Sequence, residues 1–255
     1  MSATTAHDLT ALAPIGHRDA RPLAATAYRR FADELAQVPS TGWERPTDCS
    51  LWTVRDLAGH VVGAMRSAAS LREMLRQQRE IARRTKVSDE QGVAIMTALQ
   101  VELTASLSTA ELVAECAALA EPAAAGRART PALMRKLVHF PVQMGDLDER
   151  WSLGYLVDVV LTRDAWLHRI DLCRALGRRP ELTADHDGRI VADVAAEWAR
   201  RHGSPVHLTL TGPAGGVFRT AGADEPHLEL DAVEFCRIVS GREKGTGLLA
   251  EPVPF

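Results

Sequence analysis

The chain has 255 residues, 46% of them apolar and 25% charged, with a formal net charge of −3. That is ample apolar material for one large domain or two smaller ones, and so slight a charge gives no reason to expect nucleic acid or an anionic membrane as partner. Nothing resembles a signal peptide, and no apolar run approaches the ~18 residues of a membrane span, so a cytoplasmic location is expected.

Residues 1–18 lack periodicity and read as a loose start. A helix is expected from Pro22 to Gln37, with Leu23, Ala27, Phe31 and Leu35 on one face and Pro39 as its stop. A turn-rich loop follows. Thr53 with Asp56 then forms a capping box, each side chain satisfying an exposed backbone donor, and opens a second helix. Its buried stripe is read as Leu57, Val61, Ala64, Ala68, Leu71 and Leu75, with His60 on the flank. A single histidine there is either a hydrogen-bonded core residue or a ligand. The basic run at 76–86 reads first as a solvated helix face and second as an anion-binding rim. Ser88 with Gln91 and Ser108 with Glu111 suggest two more capping boxes, opening helices at about 89–106 and 109–120. Pro122 to Pro131 reads as a break, Ala132–Phe140 as a short helical piece and Pro141–Arg150 as a loop.

One long helix is expected over Trp151–Arg178. Val157, Leu161, Asp164, His168, Asp171 and Ala175 recur at the spacing of a core-facing stripe, so three polar residues interrupt it in succession. Burying them without partners would cost several kcal/mol, on the order expected for isolated polar groups. Asp164 and His168 stand four apart, one turn from each other on the same face, and can grip one cation. His60 is the candidate third ligand. Ser152 caps the helix start and Gly177 is placed for the left-handed residue just past its end. The domain boundary is set here, giving a helical domain over 1–180 and a small α+β domain over 181–255.

The last part changes character. A helix at Ala184 to Arg201 precedes strand signals at Val206–Thr211, Val217–Thr220 and His227–Glu229, and Asp231 with Glu234 caps a final helix. No nucleotide-binding glycine motif or internal repeat occurs.

Two histidines and one carboxylate are a common facial set for Zn²⁺ or Fe²⁺ with open positions for water and substrate. Cys49, Cys116, Cys173 and Cys236 are far apart and read as reduced thiols. No serine or cysteine triad is supported. Asp171 either orients a ligand imidazole or pairs with an arginine. Trp52 and Trp166 read as core residues, with walling of the metal pocket as the alternative. Arg242, in the SGR turn after the last helix, either holds a carboxylate of substrate or cofactor or merely offsets the helix dipole.

The stretches WTVRDLAGHV, TALQVEL, RDAWLHRIDLCRALGR and a closing SGR…VPF resemble the mycothiol-dependent maleylpyruvate isomerase family, of the DinB-like metal-binding superfamily. The resemblance spans nearly the whole chain. It implies a mainly α fold, a DinB-like four-helix bundle followed by a small α+β C-terminal domain. It also implies a divalent metal, usually zinc, held at the positions of His60, Asp164 and His168. The family's isomerase pattern has glutamate where this chain has Asp164; aspartate is one methylene shorter, so the metal sits nearer that helix or is bridged to it by water. The implied activity is attack of a metal-activated thiol, mycothiol, on a small electrophilic substrate, as isomerase or S-transferase. A thiol-independent metalloenzyme of the same fold and a non-catalytic metal- or ligand-binding module are the alternatives.

Overall fold

Local signals set several of the helix starts in the computed structural model, which describes residues 6–144, 147–222 and 225–255. Among these residues the chain divides by its internal contacts into two units: one of His17–Arg179, the other of Pro180–Phe255 joined by the residues up to Gly16. The whole is mainly helical, with the four-helix bundle and the small α+β unit expected for its fold class.

In the first unit, α1 (His17–Leu35), α2 (Val54–Ala69), α5 (Thr109–Ala128) and α8 (Leu161–Ala175) form the bundle. Helix α1 packs on α5 and α8, and α2 on α5 and α8, which closes the ring. Phe31, Leu35, Leu57, Val61, Met65, Leu112, Cys116 and Leu172 meet in its core, all 2% exposed or less. Burying such side chains contributes about 1.5–3 kcal/mol each. Both halves of the Thr53/Asp56 capping box are formed, as are those of Ser108/Glu111.

Several expectations are corrected. The stripe drawn from Leu57 to Leu75 is two helices, because Ser70 leaves the helix with extended φ/ψ and caps α3 (Leu71–Thr85) through Glu73 N. Leu71 and Leu75 are accordingly 69% and 43% exposed. Helix α4 (Gly92–Glu102) begins after Gln91, whose side chain makes no cap; Ser88 instead accepts from Glu90 N in a local turn. Pro122 does not break α5. It stands on the solvent side, where one missing hydrogen bond is tolerated, while Ala123, Ala124 and Arg127 hold the helix in the core. At Gly126 a Cβ would lie 1.9 Å from the Ala68 carbonyl oxygen, so α2 and α5 touch backbone to backbone there.

After α6 (Ala132–Leu137), the expected loop at Pro141–Arg150 is an antiparallel ribbon of β2 (His139–Met144) and β3 (Leu147–Ser152). Trp151 belongs to β3, and Val142 and Trp151 pack with Val160. The helix begins one residue after Ser152, which caps it through Tyr155 N. Its first turns, α7 (Leu153–Tyr155) and a π-turn at Leu156–Val160, precede α8. In the π-turn Leu161 N–H bonds to the Leu156 carbonyl, five residues back. Arg127 compensates, donating to the Val157 carbonyl at 2.6 and 2.8 Å, to Leu161 O and to Thr162 Oγ1. At the other end Gly177 has φ +67°, and Arg178 N–H returns to the Cys173 carbonyl.

The second unit contains α9 (Arg189–His202), entered through a π-turn at Ala184–Gly188, and α10 (Ala232–Val239), capped by Asp231. Its strands β4 (His207–Thr211), β5 (Gly216–Arg219) and β6 (His227–Asp231) lie where the sequence places them, with β4 antiparallel to β5 and parallel to β6. The residues read as a loose start supply β1 (His7–Asp8), which pairs parallel with β5 as its edge. A two-residue strand carries no periodicity, so pattern alone does not reveal it.

Candidate functional site

Three side chains of the bundle converge. His60 comes from the second turn of α2, and Asp164 and His168 from successive turns of α8. Asp164 Oδ1 lies 3.1 Å from His168 Nε2 and 3.9 Å from His60 Nε2. The two imidazoles stand edge to face with centroids 5.0 Å apart, and one ligand atom from each of the three residues falls within 4.8 Å of the others. Donors about 2.0–2.1 Å from a tetrahedral zinc are about 3.3 Å from each other, so a small contraction of this set would close on an ion. The histidines are buried, but the Asp164 side chain is 23% exposed, so the cluster has one open side.

Electrostatics suits such a set. Burial opposes the charge on Asp164, yet His168 and then His60 hold its carboxyl well below the usual carboxylate range. Burial also pulls the His60 pKa down, favouring the neutral ring that can ligate. At His168 burial is outweighed by Asp164, with Asp171 adding to it, and the pKa lies well above the ordinary imidazole value. The proton between His168 and Asp164 thus occupies a place that a cation can take.

Asp171 is fully buried and its Oδ2 lies 3.1 Å from His168 Nδ1. That contact is the one the first of its two readings needs, with the carboxylate behind the imidazole and Nε2 toward Asp164. Cys49 Sγ is 3.6 Å from the same oxygen. Cys49, Asp171 and His168 Nδ1 could in principle form a second donor set. It would use the other nitrogen of the same ring, where Asp171 is fully buried and Cys49 half-buried, whereas the set around Nε2 has the partly exposed Asp164. The set around Nε2 is therefore the better candidate.

Trp52 walls the site. The loop before α2 doubles back, with Trp52 N–H on the Cys49 carbonyl, and sets the indole 4.8 Å from His60 and 6.0 Å from His168 between ring centroids. Trp166 is a core residue. None of the four cysteines is in a disulfide, and burial pushes the thiols of Cys116 and Cys173 up to about 12, which disqualifies both as thiolate nucleophiles near neutral pH.

The cations expected to hold an anion are mostly engaged elsewhere. In the 76–86 run Arg76 pairs with Glu73, Arg83 with Glu80, and Arg84 with Glu80 and Glu102, as a solvated helix face would. A cleft of about 570 Å³ at the C-terminal end of α8 is lined by Arg45, Arg174 and Arg178, but not by the trio. Arg174 there pairs with Asp48, and Arg178 with Glu34. Arg242 belongs to the second unit. It is half-buried in the turn after α10, where Gly241 has φ +81° and Arg242 N–H closes on the Arg237 carbonyl. Sequence reasoning did not single out Gln77, Gln100 or Arg127, whose burial is 5% exposure or less in each case. Three long polar side chains facing apolar neighbours on helices were the available signal.

No helix among the described residues is long and apolar enough to cross a membrane. No curated protein sequence matches the chain. Its fold resembles solved structures of the mycothiol-dependent maleylpyruvate isomerase (TM-score 0.55, 15% identity) and of a histidine-to-alanine mutant of it (TM-score 0.54, 14% identity). Each match covers 91% of this chain and 93% of the other. The family model described as mycothiol maleylpyruvate isomerase N-terminal domain matches residues 24–173, a span that carries His60, Asp164 and His168. The chain therefore belongs to the mycothiol maleylpyruvate isomerase N-terminal domain family.

Proposed function

We propose that this protein is a metal-dependent enzyme in which His60, Asp164 and His168 hold a divalent ion, zinc first among the candidates. A low-molecular-weight thiol, mycothiol in keeping with the family, is ionised there to attack a small electrophilic substrate. The observation that carries the reading is the convergence of two imidazoles and a carboxylate on one half-open point, with Asp171 behind His168. A bound divalent ion would supply a lowered pKa for a coordinated thiol, so that no protein cysteine is required as the nucleophile.

The side chains divide the remaining work. Asp171 holds the Nδ1 proton of His168 and keeps Nε2 turned to the site. Trp52 covers the two imidazoles and excludes water from one side, leaving the Asp164 side as the approach. Arg242 is assigned the anionic end of substrate or cofactor, because its planar fork can take a carboxylate by two parallel hydrogen bonds. In an isomerase the thiol would leave again after bond rotation; in an S-transferase it would remain attached. The division into a bundle over 1–180 and a C-terminal domain over 181–255, and a cytoplasmic location, belong to the same proposal.

Metal analysis of the purified protein, followed by turnover of maleylpyruvate and other electrophiles with and without mycothiol, tests it. The expected result is one divalent ion per chain, lost in His168→Ala with helix content retained, and turnover that requires the thiol. Protein that binds no metal, or turnover indifferent to thiol, would sink the reading. Normal kinetics in Arg242→Ala would remove Arg242 from it.

A further inference from the structure

The cleft at the C-terminal end of α8 stands apart from the trio and has a chemistry of its own. Its walls are residues 45–48 of the loop before α2, with Arg174, Ala175, Gly177 and Arg178 from the end of α8. Arg174 follows His168 by six residues, which at ~1.5 Å per residue is about 9 Å along the helix. The volume of about 570 Å³ is that of a small-molecule site, for which about 300–1,000 Å³ is usual.

The lining holds three guanidiniums and one carboxylate, that of Asp48. Asp48 Oδ2 accepts from Arg174 Nε at 2.8 Å, and Glu34, outside the lining, pairs with Arg178 at 3.1 Å. Arg45 is the exception: it pairs with no carboxylate among the described residues. Its guanidinium reaches only the Ala175 carbonyl, from Nη1 at a long 3.4 Å. The loop that carries Arg45 and Asp48 is nevertheless fixed. Pro46 and Thr53 form a bridge, the Thr47 N–H and hydroxyl both donate to the Trp52 carbonyl at 3.0 Å, and Val54 N–H bonds to the Arg45 carbonyl at 2.9 Å. A ligand here would not have to order the backbone, which lowers the cost of binding.

We infer that this cleft is a binding site for a phosphate monoester, held by Arg45 with Arg174 and Arg178 as further donors. One planar fork satisfies a carboxylate, whereas a phosphate monoester has close to two charges and three acceptor oxygens and can engage several guanidiniums. Asp48 is the built-in competitor of that ligand, because it already holds Arg174. The inference does not depend on the metal reading of the trio.

The test titrates the purified full chain with glycerol 3-phosphate and inorganic phosphate by calorimetry at low ionic strength, with acetate as the carboxylate control. Arg45→Gln and Arg174→Gln should each weaken phosphate binding about tenfold or more, the loss expected for a charge-assisted hydrogen bond. Asp48→Asn should tighten it about threefold by releasing Arg174. A merely structural role would weaken binding in all three variants, and circular dichroism verifies that each is folded. Should Arg45→Gln not fold, Arg174→Gln and Asp48→Asn carry the comparison by their opposite signs. The inference is overturned by the absence of saturable phosphate binding up to about 10 mM. Unchanged affinity in both arginine variants, weaker binding in Asp48→Asn, or acetate bound as tightly as phosphate also overturns it. So does binding that is lost in His168→Ala or Arg242→Ala but intact in Arg45→Gln, since the anion would then sit at the trio or at Arg242.

Discussion

Replacing Asp171 by Asn separates the two donor sets that share His168. Asp171 Oδ2 accepts from His168 Nδ1 at 3.1 Å in a fully buried position, unscreened by solvent. A hydrogen bond to a charged group contributes about 1.5–3 kcal/mol net, and a neutral one about 0.5–1.5 kcal/mol. Asparagine preserves shape and can still accept, so the loss is about 1–1.5 kcal/mol, or roughly tenfold in metal affinity. The assay is zinc competition against a chromophoric chelator at constant pH, with circular dichroism to verify helix content. Cys49→Ser serves as the companion variant and should leave the affinity within twofold. A loss of more than about a thousandfold in Asp171→Asn, or any large loss in Cys49→Ser, would place the ion on Cys49, Asp171 and His168 Nδ1 and refute the assignment to His60 and Asp164. Unchanged affinity in Asp171→Asn would show that the buried carboxylate does not tune the ligand.

Because Asp164 and Asp171 hold His168 protonated against its burial in the metal-free protein, zinc binding near pH 7 should release about one proton. Calorimetry in buffers of different ionisation enthalpy should show it, and a buffer-independent heat would contradict it. The same shift has a stability sign: with the folded value raised above the ordinary 6.5, this contribution to the metal-free protein is fully present below that value and is lost as pH rises through the folded one. Gly126→Ala should destabilise the bundle by about 2–3 kcal/mol, since its Cβ would meet the Ala68 carbonyl oxygen at 1.9 Å. A urea midpoint within experimental error of the parent would show that α2 and α5 can part without cost. Arg127→Met should cost about 3 kcal/mol by removing the charged donor to the Val157 carbonyl of the π-turn, and a loss below about 1 kcal/mol would mean that the turn does not depend on it.

What the sequence determined by itself lies within a few residues of chain. The Thr53/Asp56 box starts α2, Gly177 ends α8, and the four-residue spacing of Asp164 and His168 puts both on one face whatever the helix packs against. Those interactions are closed inside one helical turn, so no other part of the molecule is needed to read them. His60 entered from the sequence as the candidate third ligand, and family resemblance agreed with it and added the bundle. Tertiary structure decided the rest. Pro122 stays helical because the burial of Ala123, Ala124 and Arg127 next to it outweighs one lost hydrogen bond, and the π-turn before α8 has Arg127, from α5, donating to its Val157 carbonyl. The contact of Asp171 with His168, and the pairing of Gln100 with Gln77 and of Gln77 with the Gly63 carbonyl, depend on which groups face one another within α8 and across helices α2, α3 and α4. A buried polar group takes whatever partner the packing presents, and that partner can lie anywhere in the chain.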